Sequence, residues 1–236
     1  MILVLQFRTD QSGWHEVKCI YDSVNKNYND FLFMNLMSQF ITIEMIIDKL
    51  NVAQGVILGG LGEGGYEDSE SHKVKNLQYV LDKIKPIIKK IEAKSIPTLG
   101  ICFGHQVLAD LLGGEVVTDS NMAESGIAEI ILTPEGKKDY LLQSLPESFY
   151  GVVSHKSSVI TLPKGAELLA YSAKCPIQGF RYQKNIYGFQ LHPELNLQDY
   201  QSRMQLYPEY NKHKLDSIDT QEILANQILI NFINTL

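Results

Sequence analysis

Short apolar runs alternate along the first half of the chain with stretches of helical periodicity, and few folds accept that pattern. Ile2-Leu3-Val4-Leu5-Gln6-Phe7 reads as a first strand, Gly55-Val56-Ile57-Leu58 as another and Pro97-Thr98-Leu99-Gly100-Ile101 as a third. A strand apolar on both faces must be covered on both, which is the condition of a parallel sheet between two helical layers. Between the last two runs, residues 74–94 set Leu77, Val80, Leu81, Ile84, Ile87, Ile88 and Ile91 at helical spacing. Pro86 inside that pattern should start a second helix or kink the first. Residues 106–112 read as a short helix ended by Gly113-Gly114. The second half is richer in strands, over 127–132, 149–153, 168–172, 177–182 and 186–191, separated by turn signals such as Pro163-Lys164-Gly165 and Lys184-Asn185. Residues 221–236 read as an amphipathic helix with Ile223, Leu224, Ile228, Ile230 and Ile233 on its buried side. Residues 10–50 are the least legible: the Asn-rich 25–29 suggest a loop and 43–50 a helix.

No repeat, low-complexity tract or linker divides the sequence, so residues 1–236 are expected to form a single α/β domain of three layers, with a mostly parallel central sheet and extra strands in the second half. A chain of this length buries a full core without disulfides or structural metals. Its 21 Lys and Arg against 27 Asp and Glu give a net charge of −6, unsuited to a phosphate backbone, so no nucleic-acid partner is expected. The apolar start meets Arg8 and Asp10 at once, too soon for a secretory leader. The uncharged stretch 31–43 is broken by Asn35, Ser38 and Gln39 and falls short of a membrane span. Cys19, Cys102 and Cys175 are odd in number and far apart, which describes neither a disulfide framework nor a metal site. The expectation is a cytoplasmic, soluble protein with reduced thiols and no metal or cofactor.

Gly100-Ile101-Cys102-Phe103-Gly104-His105-Gln106 lies directly after an apolar strand and before a helix. Gly-x-Cys-x-Gly at such a junction is the cysteine form of a nucleophile elbow, whose tight turn needs small residues at both flanks and lifts the reactive atom off the sheet edge. A helix N-terminus beneath favours a thiolate, and the N–H of Phe103 is free to face an oxyanion. A second signal is Gly188-Phe189-Gln190-Leu191-His192-Pro193-Glu194. A cysteine nucleophile needs a base, and the base an orienting acceptor; His192 and Glu194, two apart at the end of a strand, can point the same way. His105 follows the turn into the helix and reads as packing, His15, His72 and His213 as surface, and Cys19 and Cys175 as small apolar residues without acid–base partners nearby.

With these two motifs the chain resembles the class I glutamine amidotransferases, the triad-type glutaminase domains: GICFGHQ is similar to that family's nucleophile motif and FQLHPE to its His–Glu motif. The resemblance runs over residues 2–194. Within the class, Gln6-Phe7-Arg8-Thr9-Asp10, Val153-Ser154-His155-Lys156-Ser157-Ser158 and Cys175-Pro176-Ile177-Gln178 are similar to free-standing proteins that resemble the glutaminase half of GMP synthase. The resemblance implies a flavodoxin-like fold and a Cys102–His192–Glu194 triad that opens the glutamine side-chain amide through a γ-glutamyl thioester. It implies oxyanion donors at the N–H groups of Phe103 and Gly60, and substrate contacts from Gln106 and from Ser154, His155, Lys156 and Ser157, largely through backbone atoms. It implies no cofactor, and a synthetase partner to use the ammonia. The family loop commonly reads Gly-Gly-Pro, whereas here it is Gly59-Gly60-Leu61-Gly62-Glu63-Gly64-Gly65, expected to be more mobile.

Three other readings stand beside this one. A γ-glutamyl peptide hydrolase would use the same triad, and a non-catalytic binding protein could keep the scaffold without turnover. Gly60-Leu61-Gly62-Glu63-Gly64-Gly65 also fits G-x-G-x-x-G after a strand, a dinucleotide fingerprint. The acids that follow it, Glu67, Asp68 and Glu70, oppose a pyrophosphate.

Overall fold

The computed structural model describes residues 1–24, 27–62, 65–66, 74–207 and 223–236. Along them the order is β1 (Ile2–Gln6), α1 (Ser12–Asp22), β2 (Phe31–Asn35), α2 (Ile43–Leu50), β3 (Gly55–Leu58), α3 (Val74–Lys94), β4 (Thr98–Ile101), α4 (Phe103–Leu111), β5 (Glu115–Thr118), β6 (Glu124–Leu132), β7 (Ser148–His155), β8 (Ser157–Thr161), β9 (Ala166–Tyr171), β10 (Gly179–Tyr182), β11 (Ile186–Phe189), α5 (Leu197–Leu206) and α6 (Asn226–Asn234).

Side-chain alternation along the inner strands sets the layers. Ile2 and Val4 of β1 join Ile57, Leu99 and Ile101 in one core, closed by Ile20 of α1 and by Ile228, Leu229, Phe232 and Ile233 of α6. Leu3 and Leu5 join Val56 and Leu58 in the other, closed by α2, α3 and α4 through Ile46, Leu50, Ile84, Ile87, Ile88, Val107 and Leu108. Successive strand residues face opposite sides, so a run apolar at every position is what a doubly covered sheet demands. The sheet runs β2-β1-β3-β4-β11-β10-β9-β6-β7. It is parallel from β2 to β11 and is extended by antiparallel strands beyond. β5 and β8 pair apart from it. This is the flavodoxin-like α/β arrangement with extra second-half strands that the sequence predicts.

Particular elements differ from expectation. Pro86 does not divide α3, which runs through it. The carbonyl that Pro86 leaves without its helical donor belongs to Asp82, an exposed residue where water can serve instead. The strand expected over 186–191 ends at Phe189, and the closing helix starts only at Asn226; residues 221 and 222 of that expectation lie outside the described residues. Helix α2 spans Ile43–Leu50 as the sequence implies, capped by Thr42 Oγ1 accepting the Met45 N–H at 3.3 Å. The loop expected at 25–29 is described only from residue 27, which leads into a 3-10 turn, Tyr28–Asp30. Among the described residues no helix is long and apolar enough to cross a membrane.

Candidate active site

The elbow follows from β4 meeting α4 with a single residue between them. Cys102 takes φ 51° and ψ −101°, a left-handed backbone that a residue with a Cβ adopts only when its surroundings enforce it. The enforcement is visible on both flanks. The Cys102 N–H donates to Phe189 O at 2.8 Å and the Gly104 N–H to Gly59 O at 3.1 Å, which ties the turn to β11 and to the end of β3. A Cβ on Gly100 would lie 2.6 Å from Gly104 O, and one on Gly104 would lie 2.3 Å from Leu58 O, so neither position admits a side chain. Phe103 is the first residue of α4, where a helix leaves its N–H groups without intrahelical partners. Its ring packs edge-on against Phe7, centroids 5.2 Å apart.

His192 and Glu194 stand beyond the end of β11, not on it. They are held by a turn in which the His192 N–H donates to Val152 O at 2.8 Å and the Leu195 N–H to His192 O at 3.2 Å. His192 Nδ1 and Glu194 Oε1 are 2.9 Å apart, and both side chains are buried. Burial disfavours the imidazolium, but the Glu194 carboxylate and then Cys102 outweigh it and push the His192 pKa up to about 9. Burial also works against a charged Glu194. The charge of His192 and its hydrogen bond, and then the charge of Arg203, outweigh it and hold the Glu194 carboxyl well below the usual range. Cys102 and His192 line one cavity together with Arg8, Leu61, Tyr66 and Tyr207. The Cys102 thiol donates to Ser154 O at 3.7 Å and accepts from Gln190 Nε2 at 3.6 Å.

Other expected contacts fall differently. The Gly60 N–H does not face the cavity as an oxyanion donor: it donates to Glu16 Oε1 at 2.8 Å. Glu16 is buried with Arg8, whose Nε donates to the same oxygen at 3.1 Å. The two glycines make room for this pair, since a Cβ on Gly59 would sit 2.6 Å from Glu16 Oε2 and one on Gly60 2.7 Å from Arg8 Nη2. The loop expected to be mobile is therefore pinned at Gly59 and Gly60, while Glu63 and Gly64 lie outside the described residues. Gln106 reaches the cavity, but its amide N–H groups donate to Ser157 O at 2.8 Å and Gln190 Oε1 at 3.1 Å. Ser154, His155, Lys156 and Ser157 also line the cavity. The ring of His155 is nonetheless turned inward, with Nε2 3.2 Å from Glu124 Oε2 and Nδ1 3.2 Å from Ser157 O, and Ser157 Oγ pairs with Thr118 Oγ1 at 2.8 Å.

Residues 23–205 match the family model of glutamine amidotransferase class-I. The chain belongs to that family. Among curated relatives, a subunit of the glutamine-hydrolyzing GMP synthase of Methanosphaera stadtmanae is 43% identical over 101 residues, 42% of this chain and 52% of the relative. Gamma-glutamyl peptidase 5 of Arabidopsis thaliana is 34% identical over 143 residues, 60% of this chain and 53% of the relative. The chain thus spans about half the length of these two relatives. A glutamine amidotransferase of Thermotoga maritima, known from its crystal structure, shares the fold with a TM-score of 0.64 at 23% identity, over 88% of this chain and 82% of that one.

Several supporting residues of this site escape a linear reading. Arg203 of α5 donates from Nη1 to Glu194 Oε1 at 2.9 Å and from Nε to His15 Nδ1 at 3.1 Å. His15 is therefore no surface histidine: it is half-buried and lies 3.5 Å from Cys19 Sγ, one helical turn away on α1. The i, i+4 spacing of His15 and Cys19 is the one signal that a helical reading of 12–22 would have exposed. His105 is buried, its ring 5.1 Å from that of Phe180, and burial holds its pKa down to about 3, as packing requires. Burial pushes the thiol of Cys19 up to about 12 and that of Cys175 up to about 11. Both should stay protonated and inert at neutral pH. A diazo-ketone analogue of glutamine is expected to label Cys102 and leave Cys19 and Cys175 unmodified in peptide mass spectra; equal labelling of all three would sink the elbow assignment.

Proposed function

We propose that residues 1–236 act as one glutaminase unit that hydrolyses the side-chain amide of glutamine through Cys102, His192 and Glu194 and passes the ammonia to an acceptor on a synthetase partner. The observation that carries this reading is the buried His192–Glu194 pair at 2.9 Å beside an elbow cysteine at positive φ on the same cavity. Cys102 passes its thiol proton to His192 and the thiolate sulfur attacks the γ-carbonyl carbon; a C–S bond forms and the carbonyl electrons move to oxygen, where the Phe103 N–H meets them. The tetrahedral intermediate collapses as the C–N bond breaks, and the proton on His192 goes to the departing ammonia. With a pKa near 9, that proton is present at neutral pH and is lost as pH rises through 9, so turnover should fall there. Water then attacks the thioester, giving up a proton to His192; the C–S bond breaks, the Cys102 sulfur is restored and glutamate leaves. Glu194 keeps the imidazole oriented throughout.

The Gly60 N–H, held by Glu16, supports slow turnover by the chain on its own, since one expected oxyanion donor is engaged elsewhere. A second reading, γ-glutamyl peptide hydrolysis, is favoured by Leu61, Tyr66, Tyr200, Met204 and Tyr207 on the cavity wall, more apolar surface than an ammonia leaving group needs. Ammonia release from glutamine and cleavage of a γ-glutamyl dipeptide, measured side by side, test both. The expected result is slow release from glutamine that rises when a synthetase partner is added. Brisk dipeptide cleavage by the isolated chain, with glutamine barely touched, would overturn the first reading and promote the second.

A further inference from the structure

A third buried ion stands against the His192–Glu194 pair. Glu194 Oε1 accepts from His192 Nδ1 and from Arg203 Nη1, each at 2.9 Å. Both hydrogen bonds therefore fall on one oxygen. Among the described residues, Glu194 Oε2 and Arg203 Nη2 have no hydrogen-bond partner. Arg203 is only 3% exposed, and its place is set by more than its bond to Glu194. It sits on the inner face of α5 with Tyr200 and Met204, which pack against Cys19, Val152 and Leu195. Its Nε is fixed by His15 Nδ1, which must be the acceptor, so the His15 ring is neutral with its proton on Nε2. Burial, and then the charge of Arg203, hold the His15 pKa down in agreement.

A carboxylate and an imidazolium already neutralise each other, and burying a further cation beside them is costly unless it acts on them. The titratable and charged groups that face the pair are Cys102 at the elbow, Arg8 beyond β1, His15 and Cys19 of α1, and Arg203 of α5, with Lys18 and Asp199 behind His15. Of these, Arg203 alone is hydrogen-bonded, among the described residues, to the oxygen that holds His192. Resting on the reading of Cys102, His192 and Glu194 as the triad, we propose that Arg203 is its positioning residue: the guanidinium keeps Glu194 Oε1 on His192 Nδ1 and shares that oxygen's charge, and so limits how tightly His192 holds its proton. An imidazolium that held its proton too tightly would be slow to give it to the departing ammonia.

The sign follows from the charges. Removing the Arg203 charge leaves Glu194 to act on His192 unshared, so His192 should bind its proton more tightly. The test is a pH titration of the His192 ring in the full chain, by nitrogen NMR of histidine-labelled protein, with kcat/KM against pH measured in parallel. Arg203→Gln and Arg203→Met, one polar and one apolar, both remove the charge, so failure of either to fold leaves the other; Arg203→Lys keeps it. The neutral variants are expected to raise the His192 midpoint by about one pH unit or more and to move the alkaline limb of kcat/KM with it. The lysine variant should lose rate through its poorer geometry while keeping the wild-type midpoint. Equal midpoints in all the proteins would overturn the proposal, as would losses of rate with an unmoved pH profile. Absence of any Cys102-dependent release of ammonia or of a γ-glutamyl leaving group by the wild type would instead remove the triad reading. The NMR midpoint does not need turnover, so it judges Arg203 separately.

Discussion

Cys102→Ala and His192→Ala are each expected to lower turnover of the responsive substrate by about 10⁴-fold or more, and the double variant hardly further, because nucleophile and base act as one unit. Glu194→Gln should cost less, roughly 10²-fold, since in the proposed triad the carboxylate orients His192 and is not consumed. Steady-state rates of the purified variants, with circular dichroism to show that each is folded, check the order. Glu194→Gln as damaging as Cys102→Ala in a folded protein would mean that orientation is the wrong role for Glu194. Losses that simply multiplied in the double variant would mean that Cys102 and His192 work apart.

The second large effect concerns stability. Gly104→Ala would put a Cβ 2.3 Å from Leu58 O and 2.8 Å from Leu58 Cβ. Those atoms belong to a central strand buried on both faces, which has little room to yield. The expected cost is about 3 kcal/mol or more, at the upper end of overpacking in cores. Gly113→Ala is the control. Gly113 has φ +96° but nothing within 4 Å of its would-be Cβ, so only backbone strain is added, about 1 kcal/mol. Urea unfolding followed by circular dichroism should separate the two clearly. A Gly104→Ala protein as stable as Gly113→Ala would contradict the packing of the elbow onto β3.

Where the sequence was legible, one kind of residue faced one kind of environment. β1, β3 and β4 are apolar at nearly every position, with Gln6 and Thr98 the polar exceptions, because both faces are covered, and α3 shows its helical period because its inner face is purely apolar. α1 and α5 gave no such signal, for a physical reason. Their buried faces carry Ser12, Glu16 and Cys19 on one and Tyr200, Arg203 and Met204 on the other. A helix whose inward face must supply a carboxylate to Gly60 and Arg8, or a guanidinium to Glu194, cannot also display an apolar stripe. The helices that support the site are thus the ones a search for apolar periodicity passes over. β5 and β8 are partly exposed and, among the described residues, pair only with each other, so they lack the continuous apolar run of an inner strand.

The sequence by itself determined the layered architecture, the elbow at Cys102 and the His192-x-Glu194 pair, since each shows as a pattern within a few residues along the chain: an apolar strand, glycines on both flanks of a cysteine, a spacing of two. Tertiary structure alone decided where the Gly60 N–H is spent and which cation lies against Glu194. Glu16 claims the Gly60 N–H from 44 positions away. Arg203 is near Glu194 along the chain, yet the contact that fixes its direction comes from His15, 188 positions distant. Such assignments depend on which charges are buried together and satisfied by one another, a condition set by three-dimensional proximity that no local pattern of residues encodes.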